Sequence, residues 1–285
     1  MKLSKVGRGE QDPRDFLARI SRDRTSSASQ LLLQLIRSLR GIAAGLGTLP
    51  VDRRQEEVRR IAQNVRRAQP AMGAFQNLGW DLSRLADDVS LPRKWVPRFR
   101  ACLARWEREI ARERTALVRA AARGFPAGQT LLCMSRSQTL LEFLGALPPA
   151  RRPRAIHVLE SRPGGEGRDF ARDLKKLGMR VRVFRDDDLG AAFEGVTLVL
   201  LGADAVLPDG SLVHKVGTRR VAGAAYRRAV PTWVVTGSSK CLRPGVRLPS
   251  PLPPLFDRTP AKWVTLVWRE RGRAKPMIPV PHDGK

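Results

Sequence analysis

The sequence predicts an α/β protein in which a helical N-terminal domain precedes a parallel sheet covered by helices. Two observations carry this. Up to residue 124 apolar side chains recur at three- and four-residue spacing, and beyond it short β-rich runs alternate with helical ones. The pattern changes at Gly124-Phe125-Pro126-Ala127-Gly128, which sets the expected domains at 1–124 and 125–285.

In chain order, Leu31, Leu32, Leu35, Ile36 and Leu39 form one apolar stripe. Val58, Ile61, Ala62 and Val65 form a second, and Phe99, Leu103, Trp106 and Ile110 a third. Pro50, Pro70, Pro92 and Pro97 punctuate these runs, because proline lacks the N–H that a helix interior uses. Asp52 is the expected N-cap of a helix beginning near Arg53. Six strands are predicted next, over 129–133 (QTLLC), 155–160 (AIHVLE), 180–184 (RVRVF), 196–202 (VTLVLLG), 232–237 (TWVVTG) and 263–268 (WVTLVW). Helical runs follow three of them, at 139–147, 169–177 and 218–229. The proline-rich stretch Pro249 to Pro254 reads as a surface loop, since WVTLVW still follows it.

Composition limits the function classes. A chain of 285 residues that is 42% hydrophobic has room for two cores. Its net charge of +26 raises nucleic acid or another polyanion as a partner. The basic residues comprise 10 lysines and 43 arginines spread over both halves, a bias that a GC-rich genome accounts for equally well. Cys102, Cys133 and Cys241 form no CxxC pair, which argues against a disulfide framework or zinc site and for a reducing cytoplasm. His157, His214 and His282 are too separated for a metal cluster, and no metal or cofactor is expected. No apolar stretch approaches the ~20 residues needed to cross a bilayer. The N-terminal residues 1–16 lack a signal-peptide core. The expectation is a cytoplasmic protein without membrane contact.

Ligands of open parallel sheets collect at the carboxyl ends of the strands, and residues 198–217 place functional groups there. Asp204 follows an apolar strand, Pro208-Asp209-Gly210 is a turn, and Lys215 comes a short hairpin later. Gly217 then opens a helical run whose backbone N–H groups favour an anion. The same residues also suit an ordinary strand–turn–helix with a solvated acid and a surface lysine. After the first strand, Met134-Ser135-Arg136-Ser137-Gln138 offers hydroxyls and a guanidinium to a phosphate, or caps to the next helix. After the second, Ser161 to Arg168 combines three glycines with Arg162 and Arg168, which suits a phosphate clamp or a plain crossover loop. It contains neither GK[ST] nor GxGxxG.

In this order and spacing, LLCMSRSQTLL, ESRPGGEGRDFARDLKKLGMRV, GADAVLPDGSLVHKVGTRRVAGAA and PTWVVTGSSK resemble the family of translation initiation factor 2B alpha, beta and delta subunits. That family also contains methylthioribose-1-phosphate isomerase and ribose-1,5-bisphosphate isomerase. The likeness covers residues 130–240, and more weakly RDRTSSASQLLLQLI and AQPAMGAFQNL. It implies a helical domain on a Rossmann-like C-terminal domain, a sugar-phosphate pocket between them, and a dimer. In the isomerase branch a cysteine and an aspartate carry the aldose–ketose conversion. The aspartate matches Asp204, and the cysteine position falls on Ser135, with Cys133 its neighbour. A serine hydroxyl is a far weaker acid than a thiol of pKa ~8.5, which argues against isomerase chemistry. The isomerases carry Asn-Lys where this chain has His214-Lys215, and their Arg-Gly-Ala phosphate loop is represented by Arg24-Thr25-Ser26-Ser27-Ala28.

Three functional readings follow. In the first, the protein binds a sugar phosphate or nucleotide in a regulatory or assembly role. Arg24, Arg162, Arg168 and Lys215 then meet phosphate, Asp204 meets sugar hydroxyls, and His214 is a proton shuttle or a structural hydrogen-bonded residue. In the second, Asp204 and Ser135 isomerise a 1-phosphorylated pentose. In the third, the arginine-rich helical domain binds RNA or ribosomes. Ser135 ranks binding ahead of catalysis, and the expected protein partners are a second copy or related subunits.

Overall fold

Among the described residues, apolar periodicity and the proline breaks resolve into five N-terminal helices. The structure, a computed structural model, describes residues 13–23, 26–88, 94–270 and 272–274. Arg24, Pro92 and His282, named above, lie outside the described residues. The helices are α1 (Pro13–Arg22), α2 (Ala28–Gly47), α3 (Val51–Ala68), α4 (Gly73–Asp87) and α5 (Trp95–Gly124). The three predicted stripes lie on α2, α3 and α5, and their residues are buried.

Local chemistry sets the ends of these helices. Ser27 and Gln30 form a reciprocal capping box at the start of α2, so the Ser27 hydroxyl is spent on the Gln30 N–H. Asp52 is not an N-cap. Helix α3 starts two residues earlier than expected, at Val51, with Pro50 as the non-helical flanking residue, and Asp52 falls in the first turn, where a carboxylate complements the helix dipole. Pro97 lies in the first turn of α5, where its missing N–H loses no helical bond.

The described chain forms two compact units, one of residues 1–70 with 75–109 and one of residues 71–74 with 110–285. The compositional break at 124 marks the end of α5, and the division between units falls within that helix, between Glu109 and Ile110. In the first unit Gln69 donates to the Ile20 carbonyl at 2.7 Å, and the Trp106 indole donates to Asp81 at 2.9 Å.

Among the described residues the second unit is built on a sheet of seven strands. Its strands are β1 (Thr130–Met134), β2 (Ala155–Leu159), β3 (Val181–Phe184), β4 (Leu198–Leu201), β7 (Thr232–Val235), β9 (Leu266–Arg269) and β10 (Gly272–Ala274). The spatial order is β10-β9-β7-β4-β1-β2-β3, parallel except for the β10 edge. Alternation along β1 sends Leu131 and Cys133 to one core and Leu132 and Met134 to the other. The first core is closed by α6 (Gln138–Gly145) and α7 (Glu166–Lys176), the second by α8 (Leu189–Ala192) and α9 (Thr218–Arg227). Each predicted strand of the sheet is present, the last beginning three residues later because Ala261 to Trp263 form a 3₁₀ turn.

The sequence reading did not include a small antiparallel sheet of β5 (Ala205–Val206), β6 (Leu212–Lys215) and β8 (Phe256–Thr259). It grows out of the hairpin between Asp204 and Lys215.

Candidate functional site

The strand order fixes where a ligand has access. After β1 the chain adds β2 and β3 on one side, then returns to place β4 on the other. The carboxyl ends of β1 and β4 therefore flank the switch point, the crevice that open α/β sheets offer to ligands. Ser135 follows β1 and Asp204 follows β4. Between and around them gather His214 and Lys215 from β6, Glu166 from α7 and Lys240 from the 3₁₀ turn after β7.

Ser135 is 2% exposed and holds a left-handed φ of 62°, a conformation disfavoured for a residue with a Cβ. Its N–H donates to the Ser161 hydroxyl at 2.7 Å, and its own hydroxyl donates to Glu166 at 3.3 Å. The same Glu166 oxygen lies 3.6 Å from the Lys215 ammonium, which also rests over the Phe256 ring. Glu166 is 8% exposed and opens α7, where the helix dipole favours its charge.

His214 lies at the centre. Its Nδ1 pairs with the Thr218 hydroxyl at 3.0 Å, and burial pushes its pKa below the usual imidazole value. Asp204 and Glu166 partly offset that shift, while Lys240 and Lys215 reinforce it. Two acids and two ammonium groups thus surround one buried imidazole. The other described histidine among the candidates, His157, is occupied with the Ala192 carbonyl at 2.8 Å.

The predicted phosphate arginines have other partners. Arg162 and Arg168 each bind one oxygen of the buried Glu160, at 2.8 and 2.7 Å. The Arg168 hydrogen bond, with Arg162 on the other oxygen, holds that carboxyl below the usual range. The loop between them is tighter than the run of glycines suggests. Helix α7 begins at Glu166, three residues before the predicted start, and Gly167 allows its backbone to pass against the Leu159 carbonyl where any Cβ would overlap. In the first constellation, Ser137 caps α6 and Arg136 pairs with Asp173 at 2.9 and 3.1 Å.

The N-terminus of α9, expected to receive an anion, is taken by the chain itself. The Asp257 carboxylate from β8 accepts from the N–H groups of Gly217 (2.7 Å) and Arg219 (3.1 Å). Three further residues that sequence reasoning missed are Glu166, Glu113 and Lys240. Glu113 of α5 accepts from both the N–H and the hydroxyl of Ser239, while Glu270 accepts from the Ser238 N–H at 3.1 Å. The two carboxylates hold the turn that carries Lys240. Among the described residues, no group of three His, Cys, Asp or Glu is placed to hold a metal ion.

Comparison with known proteins agrees with this fold. The initiation factor 2 subunit family matches residues 19–246. In sequence the chain is 28% identical over 161 residues to an eIF-2B subunit 2-like translation initiation factor of Pyrococcus horikoshii, covering 51% of this chain and 57% of that protein. It is 29% identical over 174 residues to ribose 1,5-bisphosphate isomerase of Haloferax volcanii, covering 52% and 54%. The chain thus spans little more than half the length of these two relatives. In structure it is similar to translation initiation factor eIF-2B of P. horikoshii, with a TM-score of 0.78 at 22% identity over 96% of this chain and 98% of that one. It is also similar to a chain of the tetrameric eIF2B beta2-delta2 complex of C. thermophilum, with a TM-score of 0.74 at 18% identity over 93% and 92%. With the family match running over most of its length, the chain belongs to the initiation factor 2 subunit family.

Proposed function

We propose that the protein binds a sugar phosphate or nucleoside monophosphate at the β1/β4 strand ends, in a regulatory or assembly role within the initiation factor 2B-like branch of its family. The observation that carries this is the polar cluster of buried His214 and Glu166 with half-buried Asp204 and Lys215 around buried Ser135, at the topological switch point. Asp204 receives sugar hydroxyls, and Lys215 supports the anionic end. Arg162 and Arg168, fixed on Glu160, give the rim a positive face that attracts the ligand. Ser135 lacks the acidity of a thiol, so the cluster recognises rather than turns over its ligand. Calorimetric titration with pentose phosphates and nucleoside monophosphates tests this. Lys215→Ala should weaken binding by ~1.5–3 kcal/mol, the range for hydrogen bonds to charged groups. Unchanged affinity in that variant would dismiss the assignment.

One contact favours the isomerase reading. The Glu166 carboxylate touches the Ser135 hydroxyl and could take a proton in place of the missing thiolate. The expected result is nonetheless negligible turnover of ribose-1,5-bisphosphate or methylthioribose-1-phosphate in coupled assays. Robust activity that disappears in Asp204→Asn would make isomerisation the primary function.

A further inference from the structure

On the flank of the sheet unit, α9 carries an aromatic pair set among cations. Tyr226, the chain's single tyrosine, is 55% exposed and, among the described residues, the most exposed of the large hydrophobic side chains. Its ring centroid lies 6.4 Å from that of half-buried Trp263, in the 3₁₀ turn Ala261–Trp263, at a tilt of 34°. The rings neighbour each other without stacking closely, and the tyrosine keeps more than half of its surface in water. Gly223 seats the indole, since a Cβ there would stand 3.2 and 3.3 Å from Trp263 ring carbons, closer than ordinary contact. Glycine weakens a helix interior, and here it gives the indole room against α9.

Exposed Arg219 places its guanidinium 5.9 Å from the Trp263 ring centre, and exposed Arg227 brings Nη1 within 3.6 Å of the space a Gly223 Cβ would fill. Residues 219, 223 and 226–227 follow the helical i, i+4, i+7 spacing, so they share one face. Lys262, beside Trp263, is also exposed. Asp257, the acid at the start of α9, is spent on the Gly217 and Arg219 N–H groups. Single exposed apolar side chains are common on protein surfaces, but a tyrosine and a tryptophan side by side among three cations make a patch. Charge decides what covers it. Two copies of this face brought together about a two-fold axis would set like charges against each other. A polyanion with flat aromatic rings complements both the cations and the ring faces.

We infer that the Tyr226–Trp263 face of α9 docks a single-stranded nucleic acid, a base stacking on the Tyr226 ring while Arg219, Arg227 and Lys262 meet the flanking phosphates. Bases within a duplex are already stacked on one another, so a single strand is what offers its base faces. Tyr226 lies seven residues beyond Arg219, about 10 Å along the helix axis and away from the strand ends. Such a site stands independently of the sugar-phosphate pocket, and it lies on the sheet unit rather than on the arginine-rich helical domain.

The test uses the full chain with short fluorescein-labelled oligouridylate RNA, oligothymidylate DNA of the same length and an RNA duplex, read by fluorescence anisotropy. Wild type should bind the single strands more tightly than the duplex at physiological salt. Tyr226→Ala should weaken single-strand binding about 5- to 150-fold, the span for losing one stacked base, while Tyr226→Phe keeps it. Tyr226 is exposed, so its substitution leaves the fold intact. Arg219→Ala with Arg227→Ala should lower both the affinity and its salt dependence. The same loss of charge at Arg67 and Arg100, exposed on the helical unit, should leave single-strand binding unchanged. Because the chain has one tyrosine, 3-fluorotyrosine labelling gives one fluorine resonance, which should shift on adding RNA. Equal binding by Tyr226→Ala, or a fluorine resonance unmoved at saturating RNA, would overturn the inference. So would a Tyr226→Ala protein of lower mass by light scattering with unaltered RNA affinity, since the face would then join two copies of the chain. Wild type that binds neither single strand overturns it outright.

Discussion

Cys133 illustrates how a residue that looks reactive in the sequence is disarmed by its surroundings. It is fully buried on β1 two positions before Ser135, and burial pushes its thiol pKa up to about 12. It should therefore resist iodoacetamide in the native protein at about pH 8 and react only after unfolding, as peptide mass spectrometry would show. Rapid native labelling would contradict the structure. His214 gives a second prediction. Its folded pKa lies below the unfolded value of 6.5, so on acidification the unfolded chain takes up a proton before the folded one. Its contribution is complete above pH 6.5 and declines as pH falls from there toward the lowered folded value. Urea unfolding should show wild type losing more stability than His214→Gln across that window. Asp204 drew attention because it stands just beyond a predicted strand, and His214 and Lys215 because they follow the Pro208-Asp209-Gly210 turn and lead into a helical run. Glu166 and Glu113 were not, since their significance comes from the Ser135 and Ser239 groups they meet far along the chain. Lys240 had the same strand-end signal as Asp204 but lay behind an unremarkable Gly-Ser-Ser turn.

At the scale of elements, the helix after Lys215 was read correctly and its use was not. A glycine before a helical run signals exposed N–H groups, yet the acid that satisfies them comes from β8, 40 residues downstream of Gly217. Pairing of β6 with β8 brings it there, with His214 opposite Asp257. Because β8 follows a proline-rich stretch and has no clear alternation, nothing in the local pattern announced it. Asp257→Ala should lower stability by ~0.5–2 kcal/mol, the range for loss of a helix cap, measured by denaturant unfolding. No loss would mean that water satisfies these N–H groups equally well. The six strands of the parallel sheet were visible because buried strands read as apolar runs, with the helices in between showing their own period.

Across the whole molecule the net charge is +26. Among the described residues no helix is long and apolar enough to cross a membrane. We propose a two-fold dimer, for which light scattering should give about twice the 31.7 kDa chain mass. A constant monomer mass over a wide concentration range would refute it. Any RNA binding should weaken steeply with salt, since scattered arginines contact phosphate without reading sequence.

Residues 71–74 have a consequence for how far this protein can be taken apart. They precede α5 by more than twenty residues, yet they belong to the unit that holds the sheet, with Ala71 packed against Ala205 and Val213 and Gly73 bonded to Asp204. A gene fragment cut cleanly at residue 110 or 125 would leave that slot open and the Asp204 carbonyl unsatisfied. Its folding autonomy would be incomplete, and a short peptide spanning 69–76, added in trans, should raise its melting temperature. The C-terminal half is thus a module completed by a piece of chain that a linear cut discards.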